Sequence, residues 1–439
     1  MKRILVLAFV LIQTTLALAQ TDTTARLKGH SFSISTSSWS RGEIRVGALP
    51  VAGDKEYAMF LSSKAVIRFD YSYKALEVRI APRFYGVWGS SSSGGLSIDE
   101  AWLGLRHKSG LFFRVGRQKL EYDDERIIGS DDWTMASSTH DILKAGFERG
   151  KHKLHLLLAF NQNDINTEGG TYYVDGGQPY KTMQTLWYHF DPIPQLGASL
   201  LFMNTGMQDM RSKSVSDKEK IYRTDFQQLF GGYLDWHPKN FRVQGSYYRQ
   251  TGRDEYYRTI KAWMTAVEAD WNINARWRVN AGYFFMSGDK YFYVPPEHFI
   301  GLVEKTDVRG FNPIFGSHHQ FYGAMDFFYL KAYYGGNTPG LQDFHVGGKW
   351  SPVPALDLGA AYHYLATGVK LEDLSMTLGH EVELSLNWTI MKDVQLSAGY
   401  SYMRGTETMN RLKRSSDKNR LQWGWIMLTV TPEFFSTKW

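Results

Sequence analysis

The sequence predicts an all-β fold, a transmembrane antiparallel β-barrel of about 18 strands (16–18) with short periplasmic turns and long extracellular loops. Three observations predict it. Many runs alternate apolar and polar side chains, as strands between lipid and a polar lumen would. The connections between these runs alternate short and long. Aromatic residues make up 15% of the chain, with 14 Trp and 26 Tyr, which suits rings gathered at two membrane interfaces.

Composition narrows the class. The chain has 439 residues and no cysteine, so disulfides, Cys-ligated metals and an acylated-cysteine anchor are excluded. Mean hydropathy is −0.36, which a barrel tolerates because only alternate residues meet lipid. Residues 1–19 read as a signal peptide. Lys2 and Arg3 form the basic region, Ile4 to Ile12 the apolar core, and Ala17-Leu18-Ala19 the cleavage signal before Gln20. Residues 20–439 are then the barrel domain. No later stretch approaches the ~20 apolar residues of a transmembrane helix. Without Lys2 and Arg3 the formal charge falls from +6 to +4, too mild for a nucleic-acid footprint. No plug-sized segment precedes the first strands, which argues against an energised, TonB-type transporter.

The strands follow in order. The first, Phe32 to Val46, is Ser-rich. Phe60 to Tyr71 and Leu76 to Trp88 come next; in the latter Leu76, Val78, Ile80 and Phe84 share one face and Glu77, Arg79, Arg83 and Tyr85 the other. A Ser/Gly loop leads to the hairpin Ile98 to Gln118, which turns at Lys108-Ser109-Gly110. Further strands are predicted at Asp141 to Glu148, Lys153 to Phe160, Met183 to Phe190, Gln195 to Asn204, Asp225 to Trp236, Phe241 to Thr251, Ala262 to Ile273 and Trp277 to Ser287. The last are Gln342 to Trp350, Leu356 to Ala366, Leu378 to Thr389, Val394 to Met403 and Leu421 to Val430, the final one stopping slightly early for a barrel C-terminus.

Gly116 to Trp133 (GRQKLEYDDERIIGSDDW) with Ser138 to Glu148, His318 to Phe328 with Asn337 to Gly347, and Leu378 to Met409 resemble the alginate-export family of outer-membrane barrels, in its Bacteroidota-like form. The resemblance runs over most of the mature chain. It implies 18 strands, a monomer, a basic, arginine-rich pore and passage of an anionic polysaccharide or its oligosaccharides. Residue by residue it carries over to Arg114, Arg117 and Arg126, with the rim as the alternative placement of the last two.

Alternation assigns an inner face. It holds Arg68, Asp70, Glu77, Arg79, Arg83, Glu100, Arg106, Arg114, Lys144, Glu148, Arg242, Glu268, Asp270, Arg278, Glu381 and Glu383. An Arg or Lys facing lipid at midplane would cost about 2–4 kcal/mol. The arginines on the early strands, interleaved with acids, read two ways. They could bind carboxylates of a passing uronate, or they could pair with one another's neighbours and fill the lumen.

The loops carry the remaining expectations. The long connection at 288–341 should fold inward. With Asp123, Asp124 and Arg126 of the earlier loop, its Tyr322 and Asp326 are the predicted constriction residues. Tyr291, Phe292, Tyr293, Phe299, Phe321 and Tyr322 could stack on sugars or pack on the wall. Asp123-Asp124-Glu125 and Asp131-Asp132 match no EF-hand spacing and read as a solvated acidic loop. His318-His319 lack the i, i+4 spacing of paired helical ligands. Glu381 and Glu383 could mimic a glycosidase pair, yet lumens produce such pairs routinely. No catalytic residue, metal or cofactor is assigned. The expected partners are outer-membrane lipids and lipopolysaccharide, an anionic saccharide solute and the barrel-assembly machinery. The expected function is passive passage of an alginate-like saccharide, with a general or small-solute porin as the alternative and a glycan- or lipid-acting barrel enzyme behind it.

Overall fold

The computed structural model describes residues 29–47, 57–163, 165, 171–174, 176–210, 223–290, 307–313, 315–328, 338–413 and 420–439. The signal segment and Tyr291, Phe292, Tyr293 and Phe299 lie outside the described residues. The strands are β1 (His30–Val46), β2 (Tyr57–Tyr73), β3 (Leu76–Val87), β4 (Gly94–Arg106), β5 (Leu111–Gln118), β6 (His140–Arg149), β7 (His152–Phe160), β8 (Thr182–Ile193), β9 (Leu196–Gln208) and β10 (Thr224–Trp236). They continue with β11 (Phe241–Arg253), β12 (Thr259–Asn272), β13 (Trp277–Met286), β14 (Asp307–Val308), β15 (Leu341–Val353), β16 (Leu356–Ala366), β17 (Thr377–Met391), β18 (Val394–Gly405), β19 (Arg420–Val430) and β20 (Glu433–Lys438).

These form a closed antiparallel barrel of 18 staves. β14 is a loop strand that pairs only with the start of β12, so β13 bonds directly to β15. β19 and β20 are one stave, and both pair with β1 to close the barrel. The stave expected to stop at Val430 therefore runs on to Lys438. Pro432 interrupts it because proline has no N–H to donate, but its carbonyl still accepts from Thr36 N at 3.0 Å. Pairing then resumes, and His30 and Trp439 exchange backbone bonds of 2.6 and 3.1 Å.

Alternation sorts the two faces. Ile80, Phe84, Leu103, Val115, Leu200, Phe202 and Val267 are exposed outward in apolar rows, as lipid contact requires. Trp236, Trp271, Trp277, Trp350 and Trp388 also point outward, each close to a short turn. They make one aromatic girdle, and Trp277 and Trp350 stack at 5.6 Å. Among the described residues no helix is long and apolar enough to cross a membrane.

The hydrophobic core lies inside the barrel, in its extracellular half. Leu157, Met183, Met264, Leu378 and Met403 of the inner wall pack against Leu120 and Ile128 of the third long loop (residues 119–139) and Phe315, Tyr322 and Phe327 of the seventh (residues 287–340). A short helix, α1 (Glu407–Lys413), adds Met409 and Leu412. The loops bring this core into the lumen, because the wall alone would leave it wet.

Candidate functional site

All sixteen predicted inner-face residues alternate with the lipid-facing rows and so point into the lumen. The arginines of β3 to β5 are paired there. Arg79 is held between Asp70 (2.6 Å) and Glu100 (3.0 Å). Arg106 and Arg114 share Glu77, at 3.4 and 3.0 Å. Arg106 also reaches Glu148 (3.1 Å), which lies 2.8 Å from His155 Nε2. Arg83 donates to Asp99 (2.8 Å), which also takes Lys119 (3.0 Å). Lys119 and Lys64 meet on Asp132, at 2.5 and 3.3 Å. Lys144 lies 5.0 Å from the Tyr122 ring.

This column runs up the wall from the short-turn end to the third loop. Its arginines are mutually paired with one exception, and Lys144 too enters no ion pair among the described residues. Arg68 of β2 points into the lumen, and its guanidinium, among the described residues, enters no ion pair or hydrogen bond. Across the pore the wall is acidic. Glu268, Asp270, Asp357 and Glu383 line a cavity of about 260 Å³, with Arg278 on Asp270 (2.5 Å) and Lys349 on Asp357 (2.6 Å). On the basic side Asp70, Glu77, Arg79 and Arg114 line a cavity of about 270 Å³. Arg242 pairs with Asp235 near the short turns, at 2.8 Å.

Two family-matched arginines part company. Arg117 faces outward near the extracellular end of β5 and grips Asp141 with two bonds of 2.8 Å. Arg126, by contrast, is buried inside the lumen, 3% exposed, which overturns a rim position for it. Its side chain donates to Asp124 at 3.1 Å, and Phe284 and Phe321 cover its guanidinium from 3.9 and 3.8 Å.

The rest of the third loop is equally tied down. Asp123, Glu125 and Asp131 take left-handed φ of 56°, 61° and 47°, a region aspartate tolerates through local hydrogen bonds. Asp123 accepts from Trp187 Nε1 (3.1 Å) and Tyr248 OH (3.4 Å), and burial holds its carboxyl above the usual range. The acidic run is therefore bonded to the wall rather than solvated. Leu120 and Ile128, fully buried, drag it inward.

The seventh loop docks on the third. Ile128 bridges Phe315, Gly129 N donates to Phe315 O (2.7 Å), and Ser317 N to Glu125 O (2.9 Å). Ser317 Oγ adds a bond to Glu125 at 2.7 Å. Trp133 stacks on His319 with ring centres 4.0 Å apart, and His319 meets Asp326 at 2.8 Å. Tyr322, buried, and Phe321, partly buried, pack against this core and onto Arg126. Glu383 accepts Ala324 N (2.6 Å) and Glu381 accepts Met325 N (3.0 Å). That pair clamps the loop. His318 bonds to Pro313 O at 3.1 Å.

A family model described as alginate export matches residues 91–367. The chain belongs to the alginate export family. The match takes in both loops and, of the arginine column, Arg106 and Arg114, and with the closed barrel it identifies an outer-membrane channel of the bacterial cell. Solved outer-membrane barrels of Pseudomonas aeruginosa share the architecture. OccK5 (OpdH) aligns with a TM-score of 0.60 at 10% identity, over 92% of this chain and 99% of that one. OccK2 (OpdF), solved in complex with glucuronate, aligns at 0.60 and 10%, over 92% and 98%. OpdO aligns at 0.58 and 12%, over 92% and 98%. No curated protein matches the chain in sequence.

Several pore residues of this alginate export family member escape the sequence. Asp99 and Glu100 both face inward because β4 carries an extra residue opposite Ala81 and Pro82. Such a bulge resets alternation and hides Asp99. Lys64 shares the parity of Arg68 and was legible by the same rule. Lys119 and Trp133 sit in a loop, where alternation says nothing.

Proposed function

We propose that this channel passes short anionic saccharides, oligouronates of the alginate kind, by passive diffusion and without catalysis of its own. The observation that carries the reading is Arg68, a lumen-facing guanidinium without a partner among the described residues, in a column whose other arginines are paired. A guanidinium binds a carboxylate bidentately, and a uronate offers one per sugar. The acidic wall opposite keeps such a solute on the basic side. OccK2 (OpdF), a barrel of similar architecture, is solved in complex with glucuronate, which supports the reading. The docked third and seventh loops favour short oligomers, since a long polymer would have to displace a packed core. The proposed surroundings are lipid and lipopolysaccharide around one monomeric barrel.

Liposome swelling tests this. Vesicles carrying the channel should swell faster in di- and trisaccharide uronates than in neutral sugars of equal size. Equal rates would support the alternative, a general small-solute porin.

A further inference from the structure

Asp343, His345 and His363 form a compact triad on the inner wall that the channel reading does not use. His345 and His363 are register partners on β15 and β16, with imidazoles 5.2 Å apart and 26° from parallel. Asp343 lies two residues before His345 on the same face of β15. Its Oδ1 is 2.9 Å from His363 Nδ1 and its Oδ2 is 3.6 Å from His345 Nδ1. One ligand atom from each residue falls within 4.8 Å of the others. All three side chains are buried, at 0, 5 and 8% exposure.

Two further observations point to a ligand. His345 Nδ1 has no hydrogen-bond partner, although it is buried and faces the Asp343 carboxylate. The far nitrogen of His363, Nε2, lies 3.3 Å from Glu383 Oε1. A carboxylate behind a histidine is the usual outer partner that fixes tautomer and ring orientation at a metal. Four ligands at about 2.0–2.1 Å around a tetrahedral ion stand about 3.3–3.4 Å apart, and the distances to Asp343 bracket that separation.

We propose that Asp343 Oδ, His345 Nδ1 and His363 Nδ1 bind one divalent transition-metal ion of the zinc class, leaving a fourth position for water or a solute. Two imidazoles and one carboxylate suit zinc or cobalt and suit magnesium or calcium poorly. The ion would brace β15 and β16 beside β17, whose Glu381 and Glu383 hold the seventh loop. Occupancy would thereby stiffen the constriction whatever solute the channel carries.

The test uses the full-length refolded barrel in detergent, stripped with chelator and titrated with Co²⁺ and then Zn²⁺. The expected result is one ion per chain, a visible d–d cobalt spectrum, and displacement by zinc. The double variant His345→Ala/His363→Ala should lose the spectrum while still inserting as a conducting barrel. Glu383→Gln, which keeps an oxygen for Ala324 N, should weaken binding by about 10–100-fold. Should the double variant fail to insert, His345→Gln alone serves, with the same loss expected. Absence of stoichiometric cobalt binding overturns the site, and so does wild-type binding by the histidine variants.

Discussion

The guanidinium carbon of Arg126 lies 3.8 Å from the centre of the Phe321 ring, joining the third loop to the seventh inside the barrel. Phe284 of the wall lies 3.9 Å from the same carbon, its ring 81° from that of Phe321, and Asp124 neutralises the guanidinium at 3.1 Å. Removing one partner of a buried charged pair costs about 3–5 kcal/mol. Arg126→Ala should therefore unseat both loops, read as faster hydrogen exchange across 123–133 and 315–326. Arg126→Lys should recover only part of the protection, because an ammonium keeps the charge and loses the stacking plane.

Gly323 fixes the loop tip against Glu381. Its φ is +87°, and a Cβ there would stand 2.3 Å from Glu381 Oε2. A left-handed non-glycine residue costs roughly 1–2 kcal/mol before that clash. Gly323→Ala should lift Ala324 and Met325 off Glu383 and Glu381. Single-channel recordings should show larger and noisier openings; an unchanged trace would mean that the clamp does not set the constriction.

Asp131 makes the loop contact pH-dependent. Burial, and then the neighbouring Asp326, push its carboxyl up from 3.8 to about 6, and Oδ1 has no hydrogen-bond partner. The seated loop thus holds the proton more tightly than a free loop does. Above pH 6 the ionised carboxylate opposes seating, and protonation relieves this as pH falls through about 6 towards about 4. Asp132 does not interfere: burial opposes its ionisation, but Lys119 and Lys64 outweigh burial and hold it down to about 2. Exchange of the Asp131 amide, which donates to Ser317 Oγ at 3.0 Å, should slow between about pH 7 and 5 relative to its intrinsic rate. In Asp131→Asn the residue 131 amide should show no such change.

The wall was legible because lipid enforces alternation. Every stave was found, and the lumen parity of Arg68, Arg79 and Glu381 followed from it. What alternation could not supply was pairing across strands. Arg79 meets Asp70 in direct register and Glu100 on the diagonal beside Trp102, and neither is written in one strand. Loops were harder still. The run from Asp123 to Asp132 looked solvated, because the rings that bury it, Trp187, Tyr248 and Phe321, lie far away in sequence. The His345 and His363 pair was hidden for the same reason, as its members face one another only once β15 and β16 are in register.

The most direct measurement is planar-bilayer conductance of the refolded channel in a KCl gradient, with and without oligouronates. The account predicts an anion-selective reversal potential and block by oligouronates. Arg68→Ala should weaken that block about tenfold, as loss of a charge-assisted contact of roughly 1.5–3 kcal/mol allows. A weakly selective current that oligouronates do not block, the same with and without Arg68, would contradict it.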